Sequence, residues 1–130
     1  MSEIYERSAP VGLVLSDDLI FTSRITGTAR DLGLIIKPAR SVESLKQAVV
    51  RDCPTCIIVD LSFPGFEAAA FLKGLRELGT AQPRLVAYGS HVDAATLKTA
   101  REAGCDPVMP RSQFVDELRK RLPEWMGSKV

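Results

Sequence analysis

Asp60 closes the apolar run Cys56-Ile57-Ile58-Val59 and leads into Leu61-Ser62-Phe63-Pro64-Gly65. An acid at the C-terminal tip of a buried strand, entering a Pro-Gly turn, is expected to be an exposed carboxylate on a rigid base. Asp17-Asp18 close an earlier run, Val11-Gly12-Leu13-Val14-Leu15, with Ser16 between run and pair. In a parallel α/β sheet both strand tips open into one crevice, where such sheets bind ligands. Carboxylates gathered there repel one another, so they must shift a pKa, bind a cation or spread apart. Asp60 and Asp17 are therefore the first candidates for chemistry. Asp18 reads as an N-cap or first-turn acid favoured by a helix dipole.

Five short apolar runs alternate with helical periodicity: Val11–Leu15, Leu34–Ile36, Cys56–Val59, Leu85–Tyr88 and Pro107–Met109. This alternation predicts parallel βαβ units. The first helical stretch carries Phe21, Ile25, Thr28 and Leu32 at helical spacing and stops at Gly33. The second is capped by Ser41 and turns Val42, Leu45 and Val49 inward. The third runs from about Phe66 to Leu78, with Ala68, Phe71, Leu72 and Leu75 as its stripe. The fourth starts at Asp93, buries Leu97 and Ala100, and ends at Gly104. The fifth is expected to be capped by Ser112, to bury Phe114, Val115, Leu118 and Leu122, and to stop near Pro123. Residues 1–10 read as a loose arm, 11–123 as one domain and 124–130 as a tail. The expected fold is an α/β three-layer sandwich of flavodoxin-like (βα)5 type: a parallel five-stranded sheet of order 2-1-3-4-5. Its switch point falls between strands one and three, at Asp17 and Asp60.

The 130 residues suit one core. A net charge of +1 gives no bulk attraction to nucleic acid or a membrane surface. No apolar stretch reaches the roughly 20 residues that span a bilayer, and the N-terminus lacks the pattern of a signal peptide. A cytoplasmic location is expected. Three cysteines are an odd count for a disulfide framework. Cys53-Pro54-Thr55-Cys56 leads into a strand rather than a helix, so Cys56 reads as a small buried hydrophobe. His91 has no partner at metal-ligand spacing and reads as a surface residue. No nucleophile-base set stands out, and no enzyme activity is expected. The acidic turn Ser16-Asp17-Asp18-Leu19 would repel a phosphate, which argues against a flavin or nucleotide cofactor.

From Val11 to Leu122 the chain resembles the receiver domains of two-component response regulators. The resemblance rests on Ser16-Asp17-Asp18, on Val59-Asp60-Leu61-Ser62-Phe63-Pro64-Gly65, on Val86-Ala87-Tyr88-Gly89-Ser90, on Ala103-Gly104-Cys105-Asp106 and on Met109-Pro110-Arg111-Ser112. It implies that Asp60 is the phosphoacceptor for a sensor histidine kinase. It implies Mg²⁺ held by an acidic pair, by Asp60 and by the backbone carbonyl of Ser62; Mg²⁺ would offset the charge of incoming phosphate. The acidic pair falls on Ser16 and Asp17, or on Asp17 and Asp18 after a one-residue slip; the spacing to Gly33 favours the former. The family's Thr or Ser falls on Gly89, with Ser90 adjacent. Its Lys falls on Arg111, which keeps the charge but not the compact ammonium. Its strand-five aromatic falls on Val108. These departures resemble the pseudo-receiver branch of the family. Should Arg111 pair with Asp60, it would neutralise the site without Mg²⁺.

Two functions follow as expectations. One is an atypical receiver domain in a phosphorelay, phosphorylated at Asp60 and acting through protein partners. The other is a phosphorylation-independent interaction or homodimerisation module. A small-molecule-binding α/β domain using the same crevice is a third.

Overall fold

The computed structural model describes residues 9–79 and 81–127. Most of the expected N-terminal arm and the end of the expected tail lie outside these residues. The chain alternates β1 (Val11–Leu15), α1 (Leu19–Asp31), β2 (Ile35–Ala39), α2 (Val42–Asp52), β3 (Cys56–Asp60), α3 (Ala68–Glu77), β4 (Arg84–Gly89), α4 (Ala94–Ala103), β5 (Val108–Pro110) and α5 (Arg111–Trp125). All strand pairs are parallel and the order is β2-β1-β3-β4-β5. The expected order 2-1-3-4-5 is the observed one.

The layers follow from this order. A right-handed crossover to the left must lie on the opposite face from crossovers to the right. Only α1 steps leftward, from β1 to β2. The core accordingly splits in two. Leu13, Leu15, Ile57, Val59, Leu85 and Ala87 pack with α2, α3 and α4. Val14, Ile58, Val86 and Tyr88 pack with α1 and α5. Successive side chains on one strand serve opposite layers, the period-two rule of a strand. β3 is buried at all five positions, because it is central and covered on both faces.

Ser41 caps α2 in a reciprocal box with Ser44, and Asp93 caps α4 by accepting from the Thr96 N–H. The inward turn of α1 is carried by Ala29 rather than Thr28. Two expectations for α5 fail. Its N-cap is Pro110, not Ser112, which sits inside the first turn. Its end is Trp125, not Pro123. Pro123 removes one helical hydrogen bond. The burial of Trp125 and Met126 beyond it, both essentially inaccessible, outweighs that loss at about 1.5–3 kcal/mol for each large apolar side chain. The core therefore continues past the expected boundary at 123. Met126 packs so closely on β1 that a Cβ on Gly12 would lie 2.8 Å from its sulfur. The Met126 carbonyl accepts from the Thr55 hydroxyl, tying the end of α5 to the start of β3.

Candidate functional site

Loops after β1 and β3 part toward opposite faces, as they must where strand order reverses. The crevice between them gathers Ser16–Asp18 and Asp60–Ser62. Asp60 is not the exposed carboxylate that the strand-tip pattern predicts; it is only 2% accessible. Three donors cover it. The Ser62 N–H and hydroxyl both reach Oδ1, at 2.9 and 2.7 Å. Arg111, the first residue of α5, donates Nη2 to Oδ2 at 3.4 Å. The turn that carries Ser62 is closed by Phe63 N–H to the Asp60 carbonyl and by Gly65 at φ +84°, a backbone state glycine adopts freely.

The three acids separate into three roles. Asp17 is exposed, and among the described residues its carboxylate has no hydrogen bond or ion pair. Asp18 is the N-cap of α1, as its position suggests; its Oδ1 accepts from the Phe21 N–H at 3.0 Å. Its own N–H donates to Oγ of Ser16, a buried residue, at 3.1 Å. Asp18 Oδ2 lies 3.7 Å from Arg111 Nη1. One guanidinium thus faces two carboxylates from two strand tips, Asp18 with one nitrogen and Asp60 with the other. The sequence offers Asp18 as a cap or as one member of the acidic pair and does not show its bridge to Arg111.

Aromatic rings fix the guanidinium in place. Its carbon stands 5.1 Å from the Phe21 ring centroid and 5.6 Å from that of Tyr88, within the range of cation–π attraction. Tyr88 stacks on Phe114 at 4.6 Å, and Phe114 on Trp125 at 5.8 Å. Tyr88 is paired across the sheet with Asp60, so β3 and β4 set this ring beside the carboxylate. The Tyr88 hydroxyl is buried next to Ser16 without a hydrogen bond of good geometry. Burial, then the charge of Asp60, pushes its pKa up. Val108 pairs with Ala87 in the α2–α4 layer, whereas Tyr88 pairs with Met109 in the α1–α5 layer, so the ring beside the carboxylate comes from β4 and not from the β5 position.

Gly89 ends β4, and no hydroxyl is available there. A Cβ on Gly89 would stand 3.3 Å from Leu97 and 3.6 Å from Leu61. Leucines close the space where a Thr or Ser would act. Ser90 is exposed, and its Oγ accepts from the Val92 N–H at 3.3 Å, which ties it to its own turn. His91 is exposed, as expected. Cys56 is buried and burial pushes its thiol up to about 12. A hollow of about 570 Å³ lies at the opposite end of the sheet, walled by Thr55, Arg84, Asp106 and Trp125, far from the carboxylates.

Mg²⁺ demands near-octahedral oxygen coordination, usually with carboxylates facing it. Among the described residues, no three His, Cys, Asp or Glu side chains are grouped to hold a metal ion. Ser16 stands where one acid is needed, and Arg111 stands between the two inward carboxylates. The residues as placed do not fit a divalent cation. Among the described residues no helix is long and apolar enough to cross a membrane.

No protein-family model matches the sequence, and no curated protein matches it. Solved structures do. A response-regulator receiver domain from Bermanella marisrubri superposes with TM-score 0.79 at 21% identity, covering 92% of this chain and 100% of its own. A response regulator from Thermotoga maritima gives 0.76 at 17%, covering 93% and 100%. The receiver domain of the Francisella response regulator 1452 gives 0.75 at 18%, covering 90% and 96%. At this identity the likeness is one of fold: the chain has the architecture of a receiver domain over nearly its whole length.

Proposed function

We propose that this chain is a signalling module of receiver fold that works through protein–protein contact without phosphorylation at Asp60. One observation carries the reading. Both oxygens of Asp60 are already engaged, Oδ1 by Ser62 and Oδ2 by Arg111. A carboxylate must present a free oxygen to attack phosphorus, with positive charge ready for the transferred group. Here the nearest cation neutralises the carboxylate itself. The leucines packed around Gly89 support the same reading, since they leave no hydroxyl for a phosphoryl oxygen. Binding is the output this reading assigns to the domain. Exposed Leu19, Ile20 and Val92, on the loops and helix start that border the crevice, offer apolar surface for it.

The phosphorelay reading draws on a separate observation, the retention of Asp60 at the tip of β3 with Ser62 two places on. Incubation with Mg²⁺ and acetyl phosphate, followed by intact mass measurement, separates the two. The proposed function predicts unchanged mass. A phosphoryl adduct that disappears in Asp60→Asn would reject it in favour of a working receiver domain fed by a histidine kinase.

A further inference from the structure

We propose that the hollow at the end of the sheet remote from Asp60 is a binding site for a free α-amino acid with a large apolar side chain. This goes beyond the reading of Asp60 and does not depend on it.

The hollow, about 570 Å³, has the size of small-molecule sites, roughly 300–1,000 Å³. Pro83, Leu85 and Trp125 give it an apolar wall, and Cys53, Arg84 and Asp106 give it polar groups. Arg84 opens β4. The Asp106 N–H donates to the Leu85 carbonyl at 2.8 Å, which holds Asp106 beside the start of that strand. Arg84 Nη1 reaches the Asp106 backbone carbonyl at 3.4 Å. Among the described residues, neither the Arg84 guanidinium nor the Asp106 carboxylate has an ion-pair partner. Glu124, the other acid at the hollow, is already paired with Arg121 at 3.5 Å. One cation and one anion are thus left side by side against an apolar wall.

An α-amino acid carries the complementary pair on a single carbon, with its side chain free to cover Pro83, Leu85 and Trp125. Exposed ion pairs contribute little one at a time, so the affinity is shared between both charges and the apolar side chain. A second observation points the same way. Trp125 is fully buried, and its indole N–H has no acceptor. A buried polar atom without a partner is uncommon and costly. A carboxylate oxygen brought against this wall is the kind of acceptor it lacks.

The test is titration of the whole chain with L-phenylalanine and with L-leucine. It is followed through the emission of Trp125, the single tryptophan, and by amide NMR. Two analogues of L-phenylalanine run alongside: 3-phenylpropionate, which lacks the ammonium, and phenethylamine, which lacks the carboxylate. The amino acids are expected to give saturable shifts at Arg84, Asp106 and the Trp125 indole N–H. They are also expected to slow maleimide labelling of Cys53, which is exposed at the hollow. Each analogue is expected to bind at least about tenfold more weakly than L-phenylalanine, a difference of about 1.4 kcal/mol. Arg84→Gln and Asp106→Asn, both at exposed positions, are each expected to weaken L-phenylalanine by a similar factor. No saturable shift with either amino acid would overturn the inference, as would an analogue that binds as tightly, or binding that neither variant weakens. Shifts confined to the residues around Asp18 and Asp60 would overturn it too, because they would place the ligand in the crevice instead.

Discussion

Arg111→Ala should destabilise the fold through Asp60, and the size of the effect can be worked from the site. At 3.4 Å and an effective dielectric near 20, the gross attraction is about 5 kcal/mol. Most of this is offset by desolvation, since Asp60 is buried, and by water around a guanidinium whose side chain is 42% exposed. A hydrogen bond to a charged group nets about 1.5–3 kcal/mol, and a contact this long belongs at the low end. Loss of the stacking on Phe21 and Tyr88 adds about 0.5–1 kcal/mol. The variant should therefore lose about 2 kcal/mol, roughly 6–10 °C in Tm for a chain of this size. Asp60→Asn retains an oxygen for the Ser62 donors and removes the charge. In a double-mutant cycle the two changes should couple by about 1–2 kcal/mol. Urea unfolding followed through Trp125, the single tryptophan and fully buried, gives all four stabilities with one probe. A coupling below about 0.3 kcal/mol, the level of independent sites, would mean that Arg111 is a surface cation and that the account of the site is wrong.

Further outcomes follow from the same structure. Gly12→Ala puts a Cβ 2.8 Å from the Met126 sulfur and should cost about 1–3 kcal/mol as overpacking; adding Met126→Ala should remove most of the added penalty of the Gly12 change. Trp125→Ala should cost about 3–5 kcal/mol by chemical denaturation, and a chain cut after Pro123 should fail to give a cooperative transition, whereas a dispensable tail would leave stability unchanged. At pH 8, a maleimide should label exposed Cys53 in the native protein and spare buried Cys56 and Cys105, which burial pushes up to about 12 and about 11. These raised values also set a sign. The unfolded thiols ionise near pH 8.5 while the folded ones hold their protons, so stability falls as pH rises from there toward 11, by up to about 1.4 kcal/mol per unit per thiol. Cys56→Ala should flatten that slope.

How far the sequence carries depends on the distance over which each feature is decided. The strands are local: Val, Ile and Leu runs between turn residues mark β1, β3 and β4, and the expected boundaries shift by a residue or two. Helix caps at Ser41 and Asp93 are local as well, each set by a side chain reaching three residues on. The cap of α5 is not legible, because Pro110 ends β5 and begins α5 in one step, leaving Ser112 nothing to cap. Pro123 reads as a stop because proline breaks helices in isolation; burial of Trp125 against Phe114 overrides it, and that contact exists only after the layers form. The site shows the same division. Asp60 is evident from its place after a buried run. Its burial is not, since it depends on Arg111, 51 residues away, and on rings brought from α1 and β4. The bridge from Asp18 to Arg111 joins two ends of the chain that no local pattern connects.

On the proposed function, Arg111 and Ser62 satisfy Asp60 and leave it closed to phosphoryl chemistry. Amide NMR of the wild-type chain with Mg²⁺ and then beryllofluoride tests it most directly, with Asp60→Asn alongside. No saturable shifts are expected at Asp18, Asp60, Ser62 or Arg111 in either titration. Saturable shifts at these residues that vanish in Asp60→Asn would contradict it and establish a working phosphoacceptor.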